Sequence, residues 1–202
     1  AVKNIAIAAL IARLFKGKRI SEKFSAADLW RHNVAVAVAA KGIARRSPHP
    51  HMPDEIFVAG LIHDLGTLVE RQAFPDQFAQ VIERCASEGG NFLQIEREII
   101  GADHQAFGAG LTAKWKFPRH LRAAVGFHHN AEMLSDELKG IGTIIQVADI
   151  LCCQDQHGFY LTAHGEEITD QMLELLAVSR AQIEEVRAEL PDLIAEADQT
   201  LS

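Results

Sequence analysis

The chain has 202 residues, of which 48% are hydrophobic and 23% are charged. This composition supplies enough apolar side chains for a buried core and excludes an intrinsically disordered segment. With 27 acidic and 20 basic residues, the formal net charge is -7. A general nucleic-acid-binding protein needs a positive field that this charge excludes, so we expect a protein or small-molecule partner.

Neither a disulfide framework nor a membrane span is expected. Cys85, Cys152 and Cys153 lack CxxC spacing, and this pattern favours free thiols in a reducing compartment. The apolar run at residues 5–12 is too short to cross a bilayer and is followed by no signal-peptide cleavage site. We therefore expect a cytoplasmic protein. Because the chain opens on Ala1 within a helical pattern, we also expect it to be a fragment of a longer protein.

Apolar residues recur mostly at three- and four-residue spacing, which predicts an all-α fold in one compact domain. Residues 34–40 alternate Val with Ala, but both are apolar, so this stretch predicts a buried helix and not a half-buried strand. In the first half of the chain, we expect helices at residues 5–12 and 34–40, from Asp54 through His63 and from Pro75 to Gly89. Asn91 and Asp103 are each expected to cap a following helix. Further helices are expected at residues 119–129, 140–153, 169–178 and 179–190, and Pro191 is expected to open a last short helix.

Several of the ten histidines lie at helix ends beside apolar runs. His63 and Asp64 follow the run FVAGLI, where an ionised carboxylate without a partner is costly to bury. The other candidates are His32 and His104 at the fronts of helices, His128 and His129 at the end of the 119–129 helix, and Asp149 within the apolar segment IIQVADIL. Taken singly, each could instead be a first-turn surface residue, a helix C-terminal cation or half of a His–Asp hydrogen bond between helices.

Together, five imidazoles and two carboxylates on buried helices match the requirements of a site for one or two divalent transition metal ions. Two such ions about 3.5 to 4 Å apart need an anionic bridge, which Asp64 can supply and a neutral imidazole cannot. The pair would polarise a phosphoryl group and supply hydroxide at neutral pH. The sequence does not distinguish Fe, Mn, Zn and Ni.

The order of these residues also resembles a known family. The series His32, His63-Asp64, His104, His128-His129 and Asp149 is similar to the ligand series of the HD superfamily of metal-dependent phosphohydrolases. Within that superfamily, the segments DLWRHNVAVAVAA, FVAGLIHDLGTLV, IIGADHQAFGAGLTAKWKFP and AVGFHHN resemble the HD-related output domain, HDOD, of bacterial signalling proteins. The resemblance covers residues 1–153. It implies an HD-like helical domain with C-terminal helices at residues 17–202, and it implies that residues 1–16 end a preceding helical subdomain.

The resemblance further implies a distribution of ligands. By analogy with the HD-GYP branch, which hydrolyses cyclic dinucleotides, one metal would be held by His32, His63, Asp64 and Asp149. Asp64 would bridge to a second metal held by His104, His128 and His129, and any catalysis would depend on Asp64.

Two departures from active relatives bear on function. Those relatives commonly carry a lysine three residues after the motif aspartate, where this chain has Thr67, and no GYP motif follows His129. The first hypothesis is therefore an HDOD-type output domain with a structural or ligand-sensing metal centre, acting through contacts with a regulatory protein partner or a fused receiver domain. The second is an active phosphohydrolase or phosphodiesterase that binds a nucleotide-like phosphate. The third is a scaffold that binds no metal.

The remaining aromatic and histidine residues have ordinary expected roles. Trp30 and Trp115 are expected to fill core positions instead of stacking on a nucleobase. The other histidines are expected to be solvated, namely His49, His51, His120, His157 and His164.

Overall fold

The computed structural model describes residues 23–48 and 53–201. Over these residues the chain contains helices and no strand, which confirms the all-α prediction. The helices are α1 (Ala26–Arg46), α2 (Pro53–Ile62), α3 (Leu65–Ala73), α4 (Pro75–Glu88), α5 (Phe92–Ile99), α6 (His104–Lys114), α7 (Arg119–Phe127), a 3₁₀ helix (Ala131–Met133), α8 (Asp136–Gln154), α9 (Asp170–Leu176) and α10 (Arg180–Leu201). The helix predicted at residues 5–12 and the subdomain boundary predicted at residue 16 lie outside the described residues.

Helix α1 is the centre of the fold, where it packs against α2, α8 and α10. It begins at Ala26 because the Ser25 hydroxyl accepts a hydrogen bond from the Asp28 backbone N–H at 3.0 Å. Residues 34–40 are all buried, as predicted. Small side chains let α2 approach α1 closely: a Cβ added to Gly60 would lie 2.5 Å from the Ala37 Cα. The end of α2 is therefore held against α1.

Helices α3 and α6 cross at a pair of glycines. A Cβ added to Gly66 would overlap the carbonyl group of His104 and lie 2.8 Å from the backbone nitrogen of Gly108. A Cβ added to Gly108 would in turn lie 2.5 Å from a methyl group of Val125 in α7. Backbone contact at this crossing fixes the start of α6 against the start of α3. A candidate site residue lies at that end of each helix: Asp64 immediately precedes α3, and His104 begins α6.

The predicted helix from Asp54 through His63 was wrong at both ends. Helix α2 begins at Pro53, so Asp54 lies in the first turn and does not cap the helix. The helix ends at Ile62, and His63 and Asp64 form a turn that leads into α3. Neither this turn nor α3 was predicted. Gly66 lies within α3, where only glycine fits against α6.

The C-terminal helix also differs from the prediction. We expected Pro191 to open a new helix, but α10 continues through it from Arg180 to Leu201. The core contacts explain this continuity, because Leu190 before the proline and Leu193 after it pack on the same hydrophobic core. Burial on both sides outweighs the loss of one backbone hydrogen bond at Pro191.

The two predicted helix caps were confirmed. Asn91 caps α5 by accepting from the Gln94 N–H at 3.0 Å, and Asp103 caps α6 by accepting from the Ala106 N–H at 2.9 Å. Helix α8 begins at Asp136, four residues earlier than residue 140, where we expected it. None of the helices in the described parts of the chain is long and apolar enough to cross a membrane.

Candidate metal centre

All seven candidate residues converge in the core. They come from α1, the turn between α2 and α3, the first residue of α6, the two residues after α7, and the middle of α8. His129 is the most exposed of them at 8%, and the other six are fully buried. The buried residues are His32, His63, Asp64, His104, His128 and Asp149.

One side of the cluster consists of His32, His63 and Asp149. The His32 Nε2 lies 2.9 Å from the Asp149 Oδ1, and the His63 Nε2 lies 3.9 Å from the same oxygen. One ligand atom from each residue lies within 4.8 Å of the other two. Two imidazole nitrogens therefore converge on one carboxylate.

The other side consists of three histidines. The Nε2 atoms of His104 and His128 lie 3.2 Å apart, and a ring nitrogen of His129 completes a group within 4.8 Å. Backbone hydrogen bonds hold His129 in place: its N–H donates to the Gln105 side chain at 3.0 Å, and its carbonyl accepts from Gln146 at 3.2 Å.

Asp64 lies between the two sides. Its Oδ2 is 3.6 Å from the His63 Nε2. Its Oδ1 is 3.5 Å from the Nε2 atoms of both His104 and His128. Each oxygen of this carboxylate therefore faces a different side of the cluster, an arrangement in which the carboxylate can bridge two ions.

Hydrogen bonds outside the cluster orient four of the imidazoles. In each ring the Nδ1 faces an acceptor, so a proton belongs on Nδ1 and the Nε2 points to the centre, where a metal ion would take its lone pair. The pairs are His32 with the His157 carbonyl (3.3 Å), His63 with the Gly60 carbonyl (2.7 Å), His128 with the Val125 carbonyl (3.1 Å) and His104 with the Glu96 carboxylate (2.9 Å). His129 has no such acceptor at hydrogen-bond geometry among the described residues.

The unpaired atoms of the cluster fit a divalent metal. Within the described residues, no hydrogen bond reaches His63 Nε2, either carboxylate oxygen of Asp64, Asp149 Oδ2 or either ring nitrogen of His129. Burying such groups without partners costs free energy, which a cation among them would offset. The donors are imidazole nitrogens and carboxylate oxygens, a set that suits first-row transition metals.

The charges in the cluster favour the metal-binding forms of Asp64, Asp149 and His128 near neutral pH, whereas His104 would release a proton on binding a metal. Burial alone raises the pKa of Asp64, but His63 and the other adjacent imidazoles lower it well below its usual range. The pKa of Asp149 is lowered in the same way, mainly by His32. Burial, with the neighbouring His129, lowers the pKa of His128 to about 3. Ionised carboxylates and neutral imidazoles are the forms that bind metal.

Two further carboxyl groups, those of Glu96 and Glu70, are buried near the cluster. Glu96 accepts from both the backbone N–H and the Nδ1 of His104, at 3.1 Å and 2.9 Å. Burial opposes a charge on His104, but the Glu96 carboxylate outweighs it and raises the His104 pKa to about 9. Glu70 is also fully buried. Burial and the nearby Glu96 raise the pKa of Glu70 to about 11, so this carboxyl group stays protonated.

Glu70→Gln should make the stability of the protein less sensitive to a rise in pH. The folded-state pKa of Glu70 lies above its ordinary value of 4.5, so its stabilising contribution is complete below about pH 4.5 and is lost as pH rises toward 11. Glutamine mimics the protonated acid at every pH. We expect the Tm of the chelated variant to fall less than that of the wild type between about pH 5 and about pH 8. Parallel Tm curves for the two proteins would contradict a protonated Glu70.

Sequence reasoning missed Glu96, Glu70 and Glu166. Glu96 had a usable signal, because it lies on the apolar face of α5 with Phe92 and Ile95, where a charge needs a partner. Glu70 lies in a helix that was not predicted. Glu166 has no local signal: it follows α8 in an irregular segment, and its Oε1 lies 3.5 Å from the His129 Nδ1 only in the folded protein.

Thr67, which replaces the lysine of active relatives, is fully buried in α3. Its hydroxyl has no hydrogen-bond partner among the described residues. It presents neither a charge nor an exposed donor to a substrate phosphate.

The prediction for Trp115 was wrong. Its side chain is 47% exposed, and it lines an open groove of about 410 Å³ with Leu68 and Leu111 between α3 and α6. Trp115 directly follows α6, which ends at Lys114. Trp30 is half-buried and packs against the core. His120 is also half-buried, 3.7 Å from Glu55, while His49 and His51 lie outside the described residues.

Comparisons with known proteins agree with this fold. The sequence profile of the HDOD domain matches residues 1–131. The crystal structure of an HDOD domain protein with unknown function from Geobacter sulfurreducens has a TM-score of 0.67 and 25% identity, covering 91% of this chain and 67% of that chain. A protein from Marinobacter aquaeolei VT8, provisionally named a signal transduction protein, has a TM-score of 0.82 and 21% identity, covering 99% of this chain and 44% of that chain.

A protein of Treponema pallidum (strain Nichols), described as uncharacterized, is 23% identical over 123 residues. The match covers 61% of this chain and 24% of that protein, so the chain spans less than a quarter of its length. The HDOD profile covers more than half of the present chain and includes six of the seven clustered residues. The chain therefore belongs to the HDOD domain family.

Proposed function

We propose that this chain is the output domain of a bacterial, cytoplasmic signal-transduction protein, and that its His/Asp cluster binds one or two divalent transition metal ions. In this role it acts through contacts with a regulatory protein partner or a fused receiver domain. The observation that carries the proposal is the set of unpaired imidazole and carboxylate atoms facing one another in the core. The name of the Marinobacter relative supports the signalling context.

The distances favour two metal positions that share Asp64. His32, His63 and Asp149 would hold one ion, because their ligand atoms form one group. A second group, His104, His128 and His129, would hold the other. The two Asp64 oxygens face these groups separately, at 3.6 Å from His63 and 3.5 Å from His104 and His128. This distribution matches the one implied by the HD-GYP analogy.

Burial favours a structural or ligand-sensing centre over a catalytic one. Structural metal sites are closed, whereas catalytic sites keep a position open for water and substrate. Here the candidate ligands are at most 8% exposed. Thr67 is buried and neutral where a cation would meet a substrate phosphate.

The bridging position of Asp64 favours the second candidate, a phosphohydrolase or phosphodiesterase for a nucleotide-like phosphate. Metal ions held here would supply hydroxide near neutral pH and polarise a phosphoryl oxygen. Asp64 would then be the catalytic residue, as the carboxylate that holds both ions, and the Nδ1 hydrogen bonds of the histidines would keep their Nε2 atoms directed at the metal.

Elemental analysis of the purified protein, followed by a phosphodiester and phosphomonoester panel, tests both candidates. We expect the wild type to contain a stoichiometric divalent metal and to show no turnover. Asp64→Asn should bind the metal at least tenfold more weakly, on the order of the loss seen when residues around a metal are replaced. Asp136→Asn is the matched control, because Asp136 is a fully exposed aspartate in the first turn of α8. It should retain the metal.

The other outcomes distinguish the remaining hypotheses. Turnover in the wild type that disappears in Asp64→Asn but persists in Asp136→Asn would favour the phosphohydrolase. A wild-type protein that takes up no Fe, Mn, Zn or Ni would contradict the metal centre and favour a scaffold.

A further inference from the structure

The segment between α8 and α9 crosses the outer side of the candidate metal centre. The Phe159 N–H donates to the Asp28 carbonyl at 3.0 Å, and the His157 carbonyl accepts from the His32 Nδ1 at 3.3 Å. Gly158 has a φ of 77°, and a Cβ there would lie 2.6 Å from the backbone nitrogen of His32. The segment is therefore anchored directly against the helix that carries His32.

Glu166 extends from this segment toward the cluster. Both backbone polar groups of Glu166 are hydrogen-bonded: its N–H donates to the Ala163 carbonyl at 3.1 Å, and its carbonyl accepts from the Gln154 side chain at 3.3 Å. Its Oε1 lies 3.5 Å from the His129 Nδ1. The same nitrogen lies 3.8 Å from the Asp149 Oδ2, so His129 faces one carboxylate on the inner side and one on the outer side.

Exposure shows that this is the accessible side of the cluster. The side chain of Glu166 is 25% exposed, whereas that of His129 is 2% exposed. His129 is also the most exposed of the seven clustered residues. Glu166 thus lies between solvent and the most exposed of the candidate ligands.

We propose that Glu166 is a specificity-determining residue: its carboxylate occupies the outer position beside His129 and excludes phosphate from the metal centre. This inference rests on the proposed function. A phosphate and a carboxylate are both anions, so they compete for the position beside the His129 imidazole and for the positive charge of a metal ion bound there. The exclusion would keep the centre free of phosphate ligands.

Phosphate binding to the Mn²⁺-loaded protein, measured by titration calorimetry, tests this role. Glu166→Gln keeps the size of the side chain and removes its charge, and we expect it to bind inorganic phosphate on the order of tenfold more tightly than the wild type. Its metal stoichiometry should be unchanged. Glu167→Gln is the matched control, since it removes the same charge from the exposed neighbouring residue, and its phosphate affinity should equal that of the wild type.

The results separate this inference from the proposed function. A wild-type protein that takes up no divalent metal contradicts both. Equal phosphate affinity in the metal-loaded wild type, Glu166→Gln and Glu167→Gln overturns only the role of Glu166. Loss of metal from a folded Glu166→Gln also overturns it, because the residue would then hold the metal and not exclude phosphate. An equal gain in the two variants would indicate a general charge effect and overturn it too.

Discussion

Removing the metal from the loaded protein with a chelator should lower its Tm by on the order of 10 °C. A ligand that binds only the folded state stabilises it by about 4 kcal/mol when present at a thousand times its Kd. For a domain of this size, 1 kcal/mol corresponds to roughly 2 to 4 °C. The physical source is the buried set of unpaired donors, including Asp64 and His129, which only the folded chain brings together. Scanning calorimetry with and without chelator measures the shift.

Asp64→Asn provides the control for this experiment. The variant removes the charge that faces both sides of the cluster, so chelator should change its Tm by far less than that of the wild type. Restoring the divalent metal to the chelated wild type should restore its Tm. Identical melting curves for the metal-loaded and chelated wild type would contradict a metal centre at these residues.

Gly66→Ala is expected to be the most damaging single substitution of those considered, with a loss of about 3 kcal/mol or more in the free energy of unfolding. The added Cβ would overlap the backbone carbonyl group of His104, and backbone cannot rotate away as a side chain can. Helices α3 and α6 would have to separate. Asp64 immediately precedes α3 and His104 begins α6, so metal affinity should fall together with stability. Urea unfolding and metal titration measure the two effects.

Gly110→Ala is the matched control. Gly110 lies within α6, and a Cβ there would meet no atom within 4 Å. Alanine has the higher helix propensity, so this variant should be stabilised by up to about 1 kcal/mol. The explanation would fail if both alanine variants had the same stability, or if Gly66→Ala lost stability but kept full metal affinity.

Much of the candidate site could be named from local sequence. Asp149 stands out in α8 because its neighbours are apolar, and His104 follows the capping residue Asp103. Such signals depend on residue type and helical spacing. They do not reveal a partner distant in sequence, which is why Glu166 beside His129 was missed.

The helix boundaries show the same division. The caps Asn91 and Asp103 could be predicted, because a capping side chain binds backbone only three residues away. The turn at His63 could not be predicted, because Gly66 is required by the close crossing of α3 with α6, and local sequence does not show that crossing. Pro191 was likewise misjudged, since packing against the core carries α10 through it.

The sequence by itself determined the all-helical class, the net negative charge and the seven polar residues that an apolar core does not tolerate without partners. Only the tertiary structure decided which atoms meet. His32 and Asp149, 117 positions apart, lie 2.9 Å from each other because α1 packs against α8. The division is physical: helical spacing and capping act over a few residues, whereas the cluster, Glu70 behind it and Glu166 over it depend on packing between distant helices.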